Sequence, residues 1–260
     1  MRSTVLFVLG FFGISGLMIA LWFLAKKLRN ATHVDVAWAY GLGFMAIFFA
    51  VFSHGNLIRR TCLIMPVLWS FRLGTYLLLN RSMAKHEDGR YQKLRQTWGA
   101  SADKKFLGFF LFQGTLVSVF SLPFLWLSAE PTSVTWWALS LAILIWSVSI
   151  TGESIADYQL AKFKSNRQNK GQTCNVGLWK YSRHPNYFFE FIHWWTYVAL
   201  SIGTWFFLPS ILFPLLMLLF LFKITGIPTT EARALETRPI SYRRYQQTTN
   251  VFFPGKPKTN

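Results

Sequence analysis

The chain has 260 residues, of which 52% are hydrophobic and 18% aromatic, while only 14% are charged. Soluble domains carry about 25% charged residues, so this composition excludes an ordinary soluble globular protein. The net charge of +17 would indicate nucleic acid binding in a soluble protein. Here the basic residues lie between long apolar runs, so we expect anionic membrane lipid or an acidic ligand, and no nucleic acid.

Seven apolar stretches are candidate membrane spans, since a spanning helix needs about 20 such residues. In chain order they cover residues 5–24, 34–53, 62–79, 106–127, 134–150, 188–208 and 209–224. The first lacks a small-residue cleavage site before its charged flank, so we expect a retained helix, not a signal peptide. We predict an all-α polytopic membrane protein of about seven helices, folded as one integral-membrane domain over residues 1–260.

The lysines and arginines predict the orientation of these helices. Residues 25–33, 80–105, 151–185 and 223–260 hold three, seven, six and seven of them, and seven helices place these regions on one side. The other side has only Arg2, Arg59 and Arg60. Because basic loops stay in the cytoplasm, we predict an outside N-terminus and a basic cytoplasmic cap that includes the C-terminus. A bacterial inner membrane and the endoplasmic reticulum both fit this topology.

Three charged residues fall inside predicted spans, and an intramembrane charge is costly unless it is paired or hydrated: Asp35, Arg72 and Glu190. Trp38 follows Asp35 by three residues, while Trp69, Arg72 and Tyr76 share one face of the third helix. One interpretation is a polar pocket lined by these side chains. The other is an Asp35–Arg72 ion pair that locks the second and third helices together.

A polar segment, residues 177–190, runs directly into the sixth predicted helix. Pro185 suits the first helical turn, where its missing N–H costs nothing. Asn186 and Glu190 then share one face, and the free N–H groups of the helix start favour an anion. Interfacial anchoring explains Arg183 and its basic and tyrosine neighbours, but not Asn186 and Glu190 inside an apolar helix.

Charged residues on both sides of this segment complete a predicted polar cluster. Glu153, Asp157 and Lys164 fall along one face where the fifth helix continues past the membrane. Arg233 and Arg243 lie in a polar helix and turn near the C-terminus. Such carboxylates can accept hydrogen bonds from ribose, and such arginines can bind phosphates. Alternatively, the C-terminal arginines belong to a basic tail that binds anionic lipid. The two cysteines and five scattered histidines predict no disulfide framework and no metal site.

Several motifs resemble the C-terminal domain of the steroid 5-alpha-reductases. They are residues 177–190, the Asp-Tyr pair at 157–158, and Tyr-Arg-Arg-Tyr at 242–245 followed by Phe-Phe-Pro at 252–254. The chain resembles more closely the uncharacterised membrane-protein branch of that superfamily. This branch shares Val-Asp-Val-Ala-Trp at 34–38, Glu-Asp-Gly-Arg-Tyr at 87–91 and Trp-Gly at 98–99. Isoprenylcysteine and phospholipid methyltransferases resemble only the Arg-His-Pro-x-Tyr core at 183–187.

The resemblance implies a bundle that binds NADPH from the cytoplasm and transfers a hydride to a carbon–carbon double bond conjugated to a carbonyl. Residues 1–105 would form the substrate side and residues 106–260 the cofactor-binding region. The implied cofactor contacts are Asp157, Lys164, Arg183, His184, Asn186, Tyr187, Glu190, Arg233, Tyr242, Arg243 and Tyr245.

The predicted substrate site departs from that of the steroid reductases, which hold the carbonyl with a Gln-Glu pair and a tyrosine. The matching positions here are Val34-Asp35 and Trp69, so a 3-oxo-steroid substrate is not expected. Reduction of an enone still needs an acid at the enolate oxygen, and Tyr76 or a protonated Asp35 are the candidates. We therefore predict catalytic Asp35, Tyr76 and Glu190, and substrate contacts from Trp38, Trp69 and Arg72.

Three functions follow from these observations. The first is an NADPH-dependent reductase of lipophilic, enone- or sterol-like molecules; the cofactor rests on the resemblance and the charge pattern, because the chain lacks the Rossmann glycine fingerprint. The second is an S-adenosylmethionine-dependent methyltransferase of the isoprenylcysteine or phospholipid type. The third is a non-enzymatic lipid-binding or structural membrane protein, in which Asp35, Arg72 and Glu190 form interhelical pairs.

Overall fold

A computed structural model describes residues 2–83, 87–224 and 226–258. Over this part of the chain the structure is helical and contains no β-strand. The α-helices are α1 (Ser3–Leu28), α2 (His33–Phe52), α3 (Leu57–Cys62), α4 (Ile64–Leu77), α5 (Gly89–Trp98), α6 (Ala102–Phe120), α7 (Leu122–Ala129), α8 (Trp136–Ser165), α9 (Pro185–Leu200), α10 (Phe207–Leu219), α11 (Ile227–Thr237) and α12 (Pro239–Thr248).

Six helical stretches within the described part of the chain have the length and apolar composition needed to cross a membrane. They are Ser3–Leu28, His33–Phe52, Leu57–Asn80, Gly89–Ala129, Trp136–Ser165 and Phe207–Thr237. The prediction of an all-α integral membrane protein is confirmed, with six such stretches against about seven predicted. The difference is the span predicted at 188–208, because α9 has only 16 residues. It ends at Leu200, and Gly203 then turns the chain with a φ of 81°, which favours glycine.

Local capping chemistry sets where several of these helices begin. The Asn56 side chain accepts a hydrogen bond from the Ile58 N–H at 3.0 Å at the start of α3. The Asp88 side chain accepts one from the Arg90 N–H at 3.0 Å at the start of α5. Such caps satisfy N–H groups that the first turn leaves open. Proline lies in the first turn of α9, α11 and α12.

The chain divides into two compact units. The N-terminal unit is Met1–Thr135 with Gly203–Phe206, and the C-terminal unit is Trp136–Ile202 with Phe207–Asn260. In the N-terminal unit α2 packs against α4, α1 and α6. In the C-terminal unit α8 packs along α9, α9 packs against α10, and α11 packs against α12.

Small residues allow the main helix pairs of each unit to approach closely. The Gly43 N–H of α2 donates to Ser70 Oγ of α4 at 2.7 Å, and Ser70 Oγ donates to the Ala39 carbonyl. A Cβ atom added to Gly152 of α8 would lie 2.3 Å from the Phe189 ring of α9. Membrane helices associate through such close contacts and interhelical hydrogen bonds, so these positions hold the pairs together.

Candidate functional site

Asp35 lies in the first turn of α2, and both of its carboxylate oxygens accept hydrogen bonds from α5. Arg90 Nη2 donates to Oδ2 at 2.7 Å, and the Tyr91 hydroxyl donates to Oδ1. Arg90 Nε also donates to Asp88 Oδ1 at 3.0 Å. Tyr91 is buried, and Arg90 and Asp35 are half-buried. The Asp35 carboxylate therefore acts as a double acceptor that ties α5 to α2.

Residues 87–91 bind the start of α2 at two further points. Glu87 Oε1 accepts the Ala31 N–H at 2.7 Å, and the Asp88 N–H donates to Thr32 Oγ1 at 2.9 Å. Glu87 also pairs with Arg95 at 2.8 Å. We call Asp35, Glu87, Asp88, Arg90 and Tyr91 the Asp35 cluster. It joins two motifs that are far apart in sequence, residues 34–38 and 87–91.

The four remaining predicted site residues of the N-terminal unit lie on α2 and α4. The rings of Trp38 and Trp69 meet edge to face, with centroids 6.5 Å apart. Trp69 is fully buried, while Arg72 and Tyr76 are half-buried on the same helix. Tyr76 and Trp38 both pack against an apolar cluster of α2 and α4 that contains Val36. The structure thus brings Trp38 and Trp69 into contact and packs Tyr76 and Trp38 against one cluster, whereas the predicted Asp35–Arg72 pair stays a prediction.

In the C-terminal unit, Glu231 of α11 is the acceptor at the centre of a hydrogen-bond network, which we call the Glu231 hub. Arg183 Nε donates to Glu231 Oε1 at 2.7 Å, and Gln246 Nε2 donates to Oε2 at 2.7 Å. His184 Nε2 lies 3.2 Å from Oε1. Arg183 Nη1 donates further to the carbonyls of Gln246 and Thr249, each at 3.0 Å. The guanidinium of Arg183 is thus used within the protein.

Burial controls the protonation of His184 in this hub. The side chain is almost fully buried, and this burial lowers the pKa of His184 below 6.5. The hydrogen bond to Glu231 opposes the shift without reversing it. His184 is therefore neutral at pH 7, and its ring stacks on Tyr187 with the centroids 5.4 Å apart.

The predicted tyrosines also make internal contacts. The Tyr245 hydroxyl donates to the carbonyls of Trp179 and Ser182, the second at 3.1 Å. Tyr242 and Tyr245 are both buried, and burial raises the pKa of each phenol well above 10. The Tyr187 hydroxyl lies 3.3 Å from Thr230 Oγ1. These contacts fasten residues 177–187 to α11 and α12.

A second polar group lies between α8 and α9. Asn186 Nδ2 donates to Asp157 Oδ1 at 3.3 Å. Asp157 and Glu153 are buried one turn apart on α8, and Glu190 is half-buried one turn beyond Asn186 on α9. We call Glu153, Asp157, Asn186 and Glu190 the α8–α9 polar set. Both helices are otherwise apolar over much of their length, so these groups stand out as candidates for binding a ligand.

The remaining predicted cations are exposed. Lys164 lies at the end of α8, Arg243 on α12, and Arg233 on α11, where Arg233 pairs with Glu236 at 3.2 Å. Sequence reasoning gave no role to Arg90, Tyr91 or Glu231. The shared motif at 87–91 was a signal for the first two. Glu231 had no comparable signal, because two of its partners, Arg183 and His184, lie 48 and 47 residues away along the chain.

A groove in the C-terminal unit was also not predicted. It has a volume of about 870 Å³ and is lined by Gly171, Gln172, Thr173, Asn175, Thr237, Arg238, Pro239, Ile240, Ser241, Arg244, Tyr245 and Thr248. Tyr245 is the one lining residue among those predicted to contact a cofactor.

Comparison with known proteins gives a family without an assigned activity. A family model described as "Protein of unknown function (DUF1295)" matches residues 21–249. An uncharacterized protein of Schizosaccharomyces pombe is 27% identical over 268 residues, which cover 90% of this chain and 75% of the relative. No solved structure matches the chain. The Asp35 cluster, the Glu231 hub, the α8–α9 polar set and the groove all fall within the matched residues.

Proposed function

We propose that this chain, which belongs to the DUF1295 family of proteins of unknown function, is an NADPH-dependent membrane reductase. Its substrate would be a lipophilic enone- or sterol-like molecule that arrives through the bilayer. NADPH, when bound, would supply a hydride for the carbon–carbon double bond. The observation that carries the proposal is the α8–α9 polar set, because membrane helices hold buried carboxylates where these serve a site.

The residues of the C-terminal unit have the chemistry that a phosphorylated dinucleotide needs. Asp157 and Glu190 are acceptors for ribose hydroxyls or a carboxamide N–H, and Asn186 offers both a donor and an acceptor. Lys164 and Arg233 are exposed cations for phosphates. We assign the Glu231 hub and Tyr242 and Tyr245 a positioning role, since their contacts hold residues 177–187 in place.

In the N-terminal unit we assign proton donation to Tyr76. Both Asp35 oxygens accept hydrogen bonds, so Asp35 is engaged in holding α5. The half-buried phenol of Tyr76 is then the better donor toward a developing enolate oxygen. Trp38, Trp69 and Arg72 would supply an apolar wall and a cation for the substrate. The basic segments would face the cytoplasm and the N-terminus the outside, in a bacterial inner membrane or the endoplasmic reticulum.

The test is an NADPH titration of the detergent-purified protein, followed by nicotinamide fluorescence. Glu190→Gln keeps the shape of the side chain and removes its charge, so we expect the Kd for NADPH to rise about 10-fold or more. The melting temperature of this variant should stay close to that of the wild type. Asp103→Asn, which neutralises a half-exposed carboxylate of α6, is the control and should leave the Kd unchanged. Equal Kd values for both variants and the wild type would remove Glu190 from the site.

The non-enzymatic alternative has one observation in its favour. Arg183, His184 and Tyr187, the core of the motif shared with reductases and methyltransferases, are engaged in contacts within the protein. These internal contacts give the motif a structural role that requires no ligand. Absence of both dinucleotide and S-adenosylmethionine binding would favour this alternative.

A further inference from the structure

The groove of the C-terminal unit has the size of a small-molecule site. Its volume of about 870 Å³ lies within the range of about 300–1,000 Å³ that ligand sites occupy. One wall is residues 171–175, and the other is the end of α11 with one side of α12. Nucleotides fit within this volume.

Two contacts join the walls and fix their separation. Thr173 Oγ1 and Ser241 Oγ lie 2.8 Å apart, and Arg238 Nη1 donates to the Gln172 carbonyl at 3.2 Å. Residues 171–175 contain no helix or strand of their own, so these contacts hold this wall against α12. The groove is thus a preformed feature of this unit.

The charge of the groove is entirely positive. Arg238 and Arg244 line it, and no aspartate or glutamate does. Arg244 is exposed, and its guanidinium makes no hydrogen bond or ion pair with any residue that the structure describes. Arg238 uses one nitrogen for Gln172 and keeps donors for a ligand. Guanidinium groups bind phosphate through two parallel hydrogen bonds, so this pair favours a phosphate-bearing ligand.

The groove also offers apolar surface beside these cations. Pro239 and Ile240 lie at the start of α12, with Ile240 86% exposed, and Tyr245 is a further lining residue. A lipid headgroup or free phosphate needs only the cations. A nucleotide uses both features, because its base needs an apolar face and its phosphate needs a cation.

We propose that this groove binds the phosphate-bearing adenosine portion of a dinucleotide, with Arg238 and Arg244 on the adenosine 2′-phosphate. This assignment rests on the proposed reductase function and deepens it. The assignment makes Arg244 a phosphate ligand in place of Arg243. The two side chains differ in position because adjacent residues of a helix point about 100° apart. Arg244 lines the groove, and Arg243 does not.

The experiment measures the Kd values of NADPH and NADH for the full-length protein in detergent, by calorimetry. Arg244→Ala should raise the Kd for NADPH about 10-fold or more and leave that for NADH unchanged, since NADH lacks the 2′-phosphate. Arg243→Ala is the matched control, with the same charge lost one residue away, and should change neither Kd. Arg238→Ala, which also loses its contact to Gln172, should act in the same direction as Arg244→Ala.

Other outcomes overturn the assignment. If Arg244→Ala weakens NADPH and NADH equally, or if Arg243→Ala has the larger effect, the groove does not hold the 2′-phosphate, while the reductase proposal stands. Adenosine 2′-phosphate distinguishes a failure of the groove assignment from a failure of the reductase proposal. This probe carries the adenosine and the 2′-phosphate but lacks the nicotinamide. Binding of this probe that is lost in Arg244→Ala supports the groove even if NADPH does not bind. Binding of phosphatidylglycerol vesicles without binding of adenosine 2′-phosphate overturns the groove assignment in favour of a lipid headgroup.

Discussion

The Glu231 hub and the groove belong to the same unit and both contain arginine, but they use it in opposite ways. Arg183 donates to Glu231 and to two backbone carbonyls. Arg244 has no such partner among the described residues. A charged motif therefore does not by itself identify a ligand site. The informative quantity is the number of donors that the fold leaves unused.

Removing Arg183 should give the largest loss of stability. Arg183→Ala leaves the half-buried Glu231 without its guanidinium and two carbonyls without a donor, and loss of one partner from a buried pair costs about 3–5 kcal/mol. Chemical unfolding in detergent measures the change. Arg233→Ala, in an exposed pair with Glu236, should cost less than about 1 kcal/mol, and Arg244→Ala less than about 0.5 kcal/mol. Comparable losses in all three would erase the contrast between the hub and the groove.

The Asp35 cluster extends the contrast to the N-terminal unit. Asp35→Asn removes the charge that accepts from Arg90 and Tyr91, and should lower the free energy of unfolding by about 1.5–3 kcal/mol. Asp103→Asn is the control, because among the described residues this half-exposed carboxylate makes only long ion pairs, at 3.7 and 3.9 Å. If Asp35→Asn unfolds at the same denaturant concentration as wild type, Asp35 does not hold α5.

Tyr245→Phe should have a smaller effect on the C-terminal unit. The change deletes one hydroxyl and leaves the buried carbonyls of Trp179 and Ser182 without that donor, at a cost of about 1–3 kcal/mol. The exposed Tyr158→Phe is its control and should be neutral. A neutral Tyr245→Phe would mean that residues 177–184 are held by other contacts.

The smallest expected effect is a pH dependence from His184. Its pKa is lowered in the folded state, so the unfolded chain binds more protons below pH 6.5. Stability from this group is full above pH 6.5 and declines as the pH falls below that value. The comparison protein is His184→Gln, which keeps Glu231 and Arg183, the two charged groups that face the ring. The wild type should lose more stability than His184→Gln between pH 7 and about pH 5; parallel curves would contradict a neutral buried imidazole.

The sequence predicted the apolar helices well and the polar ones only in part: it predicted a polar helix where α11 lies and a turn where α12 lies. Hydropathy located α1, α2, α8 and α10, because long apolar runs dominate those segments. The span predicted at 106–127 is α6 and α7, which divide at Ser121 just before Pro123. The polar α5 was not predicted, since its composition resembles a loop. Tertiary contacts to α2 hold it in place.

The pairings at the candidate site could not be predicted, because periodicity reports only local structure. Asp35 and Arg90 are 55 residues apart, and Arg183 and Glu231 are 48 apart. Arg243 and Arg244 are equivalent in the sequence, and both are exposed. Only the direction in which each side chain leaves α12 places Arg244, and not Arg243, in the lining of the groove. For Asp157 of α8 and Asn186 of α9, the sequence predicted only that each residue lies on a polar face of its helix, and not that the two side chains are in contact.

The most direct test of the reductase proposal is a thermal-shift comparison of NADPH with S-adenosylmethionine on the detergent-purified protein. A ligand that binds only the folded state stabilises it by about 2.7 kcal/mol at 100 times its Kd, which raises the melting temperature. We expect NADPH to raise it and S-adenosylmethionine to leave it unchanged. A rise with S-adenosylmethionine alone would indicate a methyltransferase, and no rise with either ligand would contradict an enzyme of either kind.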